Sequence, residues 1–368
     1  MKEIIPLSQP DINEEDISQV VRVLKTGMLV QGVEVQKLES AISALLHIKY
    51  CSCVSNGTAG LHLSLLALGI GPGDEVIVPA FSYIATANVV ELVGAKCSFV
   101  DIHPRFFNID ESKIEEVISQ RTKAIIPVHE FGLCANMPEI MAIAEKHNIK
   151  VIEDAACAIG ANLSSKYAGS FGHLGVFSFH PRKAITSGEG GIVATSDANL
   201  NLKIKILRNH GIEPGSAPMN FIAAGFNYRM TDFQAALVYS QFLRLESIIK
   251  YKSKLASIYF EKIHNPAIKL PEIPDGERHT WQTFHILLEN ENKRNELMVY
   301  LKAKGILTNY GAQCIPAMTY YLNKYNHQSE IEFPNAFEAY TCGLAIPLYS
   351  RLTELQIKFI SETINKFV

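Results

Sequence analysis

The chain has 368 residues, of which 48% are hydrophobic and 19% charged, and its formal net charge is -3. This composition is typical of a globular protein and excludes a disordered or fibrous chain. Because no run of lysine and arginine forms a basic tail, the sequence argues against nucleic acid as a partner.

The sequence shows no targeting segment and no membrane span. Residues 1–6 lack the apolar core of a signal peptide, and no later stretch stays apolar long enough to cross a bilayer. The seven cysteines are an odd number without CxxC spacing, which favours buried free thiols over a disulfide framework or a zinc site. We therefore expect a cytoplasmic protein without a metal site.

Short apolar, β-branched runs alternate with helix-length segments between residues 50 and 200, which is typical of repeated βαβ units. The predicted elements are strands at residues 76–79, 97–101, 124–128 and 150–154, and helices at residues 57–69 and 137–147. The strands are almost continuously apolar, so we expect both faces of the sheet to be covered. This pattern predicts a three-layer α/β domain with a mainly parallel sheet.

Residues 229–263 have a helical pattern that prolines end soon afterwards, and we place a domain boundary near residue 250. The large domain would cover residues 1–250, with its first 25 or so residues as an N-terminal arm or helix. The remainder, residues 251–368, would form a small α+β domain. Its predicted elements are a strand at residues 283–288, a helix at residues 293–305 and a last helix from Thr353.

Four polar segments follow apolar runs, where ligands collect in open parallel sheets. The first is Ser-Asn-Gly-Thr-Ala-Gly at residues 55–60, which leads into an apolar helix. The N–H groups that begin such a helix suit a phosphate, although an ordinary helix cap by Ser55 or Thr58 explains so short a motif equally simply. The second is the pair Glu153 and Asp154 at a strand end, where a buried carboxylate needs a cationic or hydrogen-bonding partner.

The third segment is the lysine Lys183, which follows an aromatic run and precedes a glycine-rich turn. Partial burial lowers the pKa of a lysine and suits it to Schiff-base chemistry, whereas most lysines are simply solvated. The fourth segment, residues 225–232, reads as a loop before a helix that Thr231 or Asp232 caps.

In this order and spacing, the four segments resemble the DegT/DnrJ/EryC1/StrS family, the pyridoxal-phosphate (PLP) sugar aminotransferases of fold type I. The specific stretches are FSFHPRK at residues 177–183 with SGEGG at residues 187–191, and FNYRMTD at residues 226–232. The similarity runs from GMLVQG at residues 27–32 to IPL at residues 346–348, so it covers nearly the whole chain.

The resemblance implies two catalytic residues. Lys183 corresponds to the lysine that binds the cofactor covalently and moves a proton on the amino donor, and Asp154 to the carboxylate that keeps the pyridine nitrogen protonated. The other implied cofactor-binding residues are Thr58, Ala59 and Ser178 at the phosphate, Tyr83 stacked on the ring, Cys157 near the ring hydroxyl, and Asn227, which would reach the phosphate in the partner subunit of a homodimer.

Cys157 departs from the commoner family pattern, which has glutamine at this position near the ring hydroxyl. A thiol is a poor replacement as a hydrogen-bond partner. The family members that became dehydratases have histidine in place of the lysine, so Lys183 argues against that activity here.

From the resemblance we expect transamination from glutamate to a nucleotide-linked 3-keto or 4-keto deoxysugar, giving an amino sugar nucleotide for a surface glycan. Two alternatives stay open: a relative that acts on a cyclitol or performs an aromatising dehydration, and a regulator that binds PLP without turnover. Lys183 and Asp154 disfavour the second. For the glutamate carboxylate, Arg182 and Arg229 are candidates by charge alone.

Overall fold

A seven-stranded sheet organises the part of the chain that the computed structural model describes, residues 4–368. The strands are β1 (Tyr50–Val54), β2 (Glu75–Pro79), β3 (Phe81–Ser82), β4 (Lys96–Val100), β5 (Thr122–Ile125), β6 (Lys150–Asp154), β7 (Asn162–Leu163), β8 (Lys166–Tyr167), β9 (Leu174–Ser178), β10 (Gly191–Thr195), β11 (Glu277–Arg278), β12 (Phe284–Leu287), β13 (Gln313–Cys314) and β14 (Gly343–Ile346). The helices are α1 (Glu14–Thr26), α2 (Val33–Leu46), α3 (Gly57–Ala67), α4 (Ala85–Leu92), α5 (Met137–Lys146), α6 (Ala198–Leu207), α7 (Asp232–Phe242), α8 (Leu245–Lys262), α9 (Glu291–Ala303), α10 (Thr319–Tyr325), α11 (Ser329–Glu332), α12 (Pro334–Thr341) and α13 (Glu354–Asn365).

The large sheet has the order β1-β10-β9-β6-β5-β2-β4. The five strands from β9 to β4 are parallel, and β10 runs antiparallel to both of its neighbours. This confirms the prediction of a mainly parallel sheet in an α/β fold. None of the helices in the described range 4–368 is long and apolar enough to cross a membrane.

Alternating residues of the central strands pack into different hydrophobic cores. On β2, Val76 and Val78 belong to a core with helices α3 and α4, whereas Ile77 belongs to a core with helix α5. On β6, Ile152 and Val151 divide in the same way. Because successive side chains of a strand point to opposite faces, both faces of the sheet are buried, as the apolar runs predicted.

A further core lies among the C-terminal residues and is shared by α8, α9, α13 and the antiparallel pair of β12 and β14. Helix α8 contributes to two cores: Leu245 and Ile248 pack beside the large sheet, while Leu255 and Tyr259 pack in the C-terminal core. The division at residue 250 stays a prediction, and it falls within this helix.

Two parts of the chain differ from the predicted elements. The single helical pattern over residues 229–263 forms two helices, α7 and α8, because the backbone leaves the helical region at Arg244, whose guanidinium pairs with Asp11 and Asp16. Within the predicted N-terminal arm, α1 begins with a capping box of Asn13 and Asp16. Residues 1–3 of that arm lie outside the described residues.

Glu153 is a buried carboxylate in the middle of the fold, with 0% exposure. It accepts hydrogen bonds from the backbone N–H groups of Gly169 at 2.7 Å and of Phe171 at 2.6 Å, and its Oε2 lies 2.8 Å from the ring nitrogen of His129. The backbone N–H of Gly172 is a further donor. These donors satisfy the carboxyl oxygens that burial removes from water, so Glu153 fixes the turn that leads into β9.

We expect Glu153→Gln to lower the free energy of unfolding by about 3 to 5 kcal/mol, the usual cost of breaking a buried charged network. The glutamine amide has a single acceptor oxygen, and its NH₂ group would face N–H donors. Urea unfolding at pH 7 measures the change. The matched control is Glu145→Gln on the exposed side of α5, for which we expect a change within about 0.5 kcal/mol; equal effects of the two variants would contradict the assignment.

Candidate active site

A cavity of about 600 Å³ lies at the carboxyl ends of the parallel strands. The ends of β6 and β9, at Asp154 and Ser178, both contribute to its wall. Of the sequence-predicted site residues, seven line this cavity together: Thr58, Ala59, Tyr83, Asp154, Cys157, Ser178 and Lys183. The strand-end rule therefore located the site, and the resemblance selected side chains that lie side by side.

Asp154 is buried at the end of β6, and its two hydrogen-bond donors are neutral. The hydroxyl of Thr86 donates to Oδ2 at 2.8 Å and the backbone N–H of Ala156 donates to Oδ1 at 3.2 Å. Burial raises the pKa of Asp154, although both donors act in the opposite direction. The carboxylate of Asp154 thus receives fewer hydrogen bonds in the cavity wall than that of Glu153. A cationic N–H group of a ligand would offset the remaining cost of its burial.

Lys183 lies half-buried in the loop that follows β9, with its amine in the cavity wall. Its Nζ lies 2.9 Å from the Sγ of Cys157. Burial raises the pKa of the Cys157 thiol even though Lys183 favours the thiolate, so this neighbour is a weakly polar sulfur and not a carboxylate partner. An amine so placed is available to react with a carbonyl group.

The N-terminus of α3 forms the opposite wall of the cavity. The cap of this helix is Asn56, whose side chain accepts a hydrogen bond from the N–H of Ala59 at 2.8 Å. This corrects the sequence alternative of a cap by Ser55 or Thr58, because the extended backbone at Asn56 places its own side chain over the helix end. Thr58 is exposed in the cavity instead.

Gly57 brings α3 close to the end of β9. A Cβ at this position would lie 3.0 Å from the Cβ of Ser178, so only glycine allows this approach without movement. The helix N-terminus, with its partial positive charge, and the side chains of Thr58 and Ser178 are therefore gathered at one point of the cavity. This arrangement suits a phosphate group.

Tyr83 stands at the mouth of the cavity with 67% of its surface exposed. Beside it lie His180 and Arg182 from the loop before Lys183. Burial lowers the pKa of His180, and the Nε of Arg182 is buried without a hydrogen-bond partner. The mouth thus offers an aromatic face and a cation to a ligand.

Asn227 is the implied cofactor-binding residue that the structure does not bring into this cavity, and Arg229, a candidate for the glutamate carboxylate, also lies outside it. It is exposed, and its backbone pairs with Asn209 in an isolated bridge. Its neighbour Tyr228 lines the cavity, whereas Arg229 donates to the Oδ1 of Asn209 at 2.7 Å and lines a separate concavity of about 670 Å³. The FNYRMTD segment therefore separates two surfaces.

Asp232, in the same segment, accepts the N–H groups of Gly32 and Val35 at 2.7 and 3.1 Å and so stabilises the start of α2. Thr231 caps α7 in a capping box with Gln234. The sequence offered both Thr231 and Asp232 as caps for the following helix; Thr231 has that role and Asp232 caps a different helix.

Thr86 and Glu130 are among the cavity residues that sequence reasoning missed. Thr86 lies inside α4, and nothing in the local pattern marks a helical threonine as a partner of Asp154. Glu130, in contrast, follows the apolar run at residues 124–128. The rule that polar residues after strands deserve inspection would have found it.

Comparison with known proteins gives a family and several relatives. The profile of the DegT/DnrJ/EryC1/StrS aminotransferase family matches residues 10–365. The chain is 37% identical to the UDP-N-acetyl-3-dehydro-alpha-D-glucosamine 3-aminotransferase of Acidithiobacillus ferrooxidans, over 96% of this chain and 94% of the relative. It is 35% identical to the GDP-perosamine synthase of Caulobacter vibrioides, over 96% and 95% of the two chains. The PLP form of Spr1654 from Streptococcus pneumoniae has a TM-score of 0.94 at 27% identity, covering 99% of this chain and 98% of that chain.

We expect Asp154→Asn to leave the ligand-free protein as stable as the wild type, or more stable, at pH 7. The pKa of Asp154 is raised on folding, so the ionised side chain lowers stability as the pH rises from about 4 through the folded-state pKa. Asparagine removes this loss, and the difference between the two proteins should shrink toward pH 4. Thermal unfolding of ligand-free protein measures it; a loss as large as that of Glu153→Gln would show that Asp154 is structural.

Proposed function

Because this chain belongs to the DegT/DnrJ/EryC1/StrS aminotransferase family, we propose that it transfers an amino group from glutamate to a nucleotide-linked keto sugar. It is an aminotransferase with PLP as its cofactor. The proposed acceptor is a 3-keto or 4-keto deoxysugar, and the product is an amino sugar nucleotide for surface polysaccharide such as an O-antigen. The observation that carries the proposal is the convergence of Lys183, Asp154 and the N-terminus of α3 in one cavity.

The residues of the cavity fit PLP at three points. The uncompensated carboxylate of Asp154 would accept the protonated pyridine nitrogen, and the start of α3 with Thr58 and Ser178 would bind the phosphate. The amine of Lys183 would bind the aldehyde carbon covalently. Tyr83 would cover one face of the ring.

When bound, PLP withdraws electrons from the carbon that carries the amino group and makes the proton on that carbon acidic. Lys183 would remove this proton as a base and return it at a different carbon as an acid. Burial makes the negative charge of Asp154 unfavourable without a cationic partner. Asp154 would therefore bind the protonated pyridine nitrogen tightly and keep it protonated. Thr86 and Ala156 fix the carboxylate in one orientation for this task.

The substrate class is supported by the names of the relatives and by the cavity mouth. Both curated relatives are named for enzymes of nucleotide sugars, one of a UDP sugar and one of a GDP sugar. At the mouth, the guanidinium of Arg182 would pair with a carboxylate of glutamate, since its Nε has no hydrogen-bond partner in residues 4–368.

An exposed apolar surface supports a homodimer. Large apolar patches of this kind mark interaction sites. Val30 lines the concavity that Arg229 also lines, and Phe221 pairs with Ile212 of the same lining. The exposed apolar residues of these two segments are Met28, Leu29, Val30, Val33, Met219, Phe221 and Ile222. Asn227 is exposed and does not line the cavity of its own subunit. We therefore place Asn227 at the phosphate in the partner's site.

We also propose that the enzyme works in the cytoplasm. Its seven cysteines are all free, and six of them are buried. A reducing compartment keeps such thiols unpaired.

We expect Lys183→Ala to lose the visible absorbance of the bound cofactor and to lower the rate of amino transfer by several orders of magnitude, since general acid–base catalysis alone contributes about 10²- to 10⁴-fold. The assay uses glutamate with a panel of UDP- and GDP-linked 3-keto and 4-keto sugars, and NMR fixes the position of the new amino group. Lys166→Ala is the control, because Lys166 is exposed on β8. A borohydride-reduced adduct mapped to Lys166 would refute the assignment; wild-type protein that aminates none of the panel would refute the substrate class.

Asn227 and Lys183 should complement each other across the dimer. We expect a mixture of inactive Lys183→Ala and Asn227→Ala subunits to recover part of the activity, because one site of each mixed dimer carries neither substitution. Activity after subunit exchange, verified by mass spectrometry of differently tagged chains, measures this. If verified mixed dimers stay inactive, Asn227 does not act in the partner's site.

A further inference from the structure

Glu130 is a buried carboxyl in the cavity wall that has no assigned role. Its side chain lines the cavity, its exposure is 5%, and its Oε2 has no hydrogen-bond partner among the described residues. The backbone on either side is fixed: the N–H of Glu130 donates to the Oδ1 of Asn108 at 2.8 Å, and Phe131 has a φ of 55°, in the left-handed region. An unpartnered polar atom held rigidly in a cavity is costly unless a ligand satisfies it.

The carboxyl of Glu130 lies among the other functional groups of the site. The charges of Lys183 and Asp154 both act on it, and its own charge acts on Cys157. The hydroxyl of Ser82 also lowers the pKa of Glu130, and it lies 3.1 Å from the hydroxyl of Thr86. The Thr86 hydroxyl in turn donates to Asp154.

Burial favours the neutral form of the Glu130 carboxyl. Burial is the largest cause of a pKa raised to about 8, and Asp154 raises it further while Lys183 lowers it. A protonated carboxyl has one O–H donor and needs an acceptor. The ligand that completes this site should therefore present an oxygen near Lys183 and Cys157.

The ring hydroxyl of PLP is such an oxygen, and the residue at position 157 does not supply a good donor to it. The thiol of Cys157 is a weak donor, and its sulfur already contacts the Nζ of Lys183. A ring oxygen beside Lys183 would thus lack a strong hydrogen-bond donor at Cys157.

We propose that the carboxyl of Glu130 donates its O–H to the ring oxygen of PLP. Glu130 follows β5, the strand that pairs with β6, so its carboxyl and Asp154 come from neighbouring strand ends. This inference rests on the cofactor of the proposed function and is independent of the sugar that is aminated.

The test is a pH titration of the visible absorbance of the purified holoenzyme. A donor to the ring oxygen stabilises its negative charge, so the proton on the adjoining lysine nitrogen leaves at a lower pH. We expect Glu130→Leu to raise the midpoint by about one pH unit, as expected for the loss of a hydrogen bond to a charged group. Glu130→Gln keeps an N–H donor of similar shape and should stay within about 0.3 of the wild-type midpoint.

A second readout is the dissociation constant of PLP as a function of pH. Glu130 must be protonated to donate, so wild-type affinity should fall up to tenfold per pH unit above about 8, the pKa of Glu130. Glu130→Gln should lack this dependence. Glu139→Leu, an equal change on the exposed side of α5, is the control and should match the wild type in both measurements.

Two results would overturn the inference: midpoints unchanged in both Glu130 variants, or midpoints shifted equally by leucine and glutamine. Urea unfolding of each variant shows that the cavity is intact. Wild-type protein that takes up no PLP would overturn the proposed function and this inference with it. A normal wild-type spectrum with an unchanged Glu130→Leu overturns the inference alone.

Discussion

The fold and the site both depend on how two carboxylates are buried in an apolar sheet. Glu153 and Asp154 are neighbours on β6, both nearly inaccessible to water, yet their surroundings differ. Glu153 points to one face and receives several backbone donors and the ring of His129, whereas Asp154 points to the cavity and receives a hydroxyl and one amide. Successive side chains of a β-strand point to opposite faces, so the two adjacent acids have different roles. Glu153 stabilises the fold, and Asp154 is available to a cationic ligand.

The cavity around Asp154 is built from groups that the protein itself leaves incompletely satisfied. Asp154 lacks a cationic hydrogen-bond donor, Glu130 has an unpartnered oxygen, and Arg182 has an unpartnered Nε. Each of these costs free energy in the ligand-free protein, and each is offset when a cofactor or substrate supplies the missing partner. Stability and function are therefore opposed at this site, as is common where binding groups are held in advance of their ligand.

The fold could be predicted where burial leaves a strong pattern, and much less where tertiary contacts decide. Strands such as β2 and β6 are apolar on both faces, so their sequences reveal them. The break between α7 and α8 has no local cause, because ion pairs with Asp11 and Asp16 fix Arg244 there. At the site, the specific motif around Lys183 allowed its prediction. The helical sequence around Thr86 gives no indication of its contact with Asp154.

The pairing of β1 with β10 has a consequence for the newly synthesised chain. Residues 50–54 find their strand partner only in residues 191–195, and that partner is the sole neighbour of β1 in the sheet. Helix α3, which would bind the phosphate, begins three residues after β1 and leans on β9 through Gly57. A ribosome must therefore release more than half of the protein before the phosphate-binding end of α3 can be fixed, so a truncated chain that already contains Lys183 still has no assembled place to hold the cofactor.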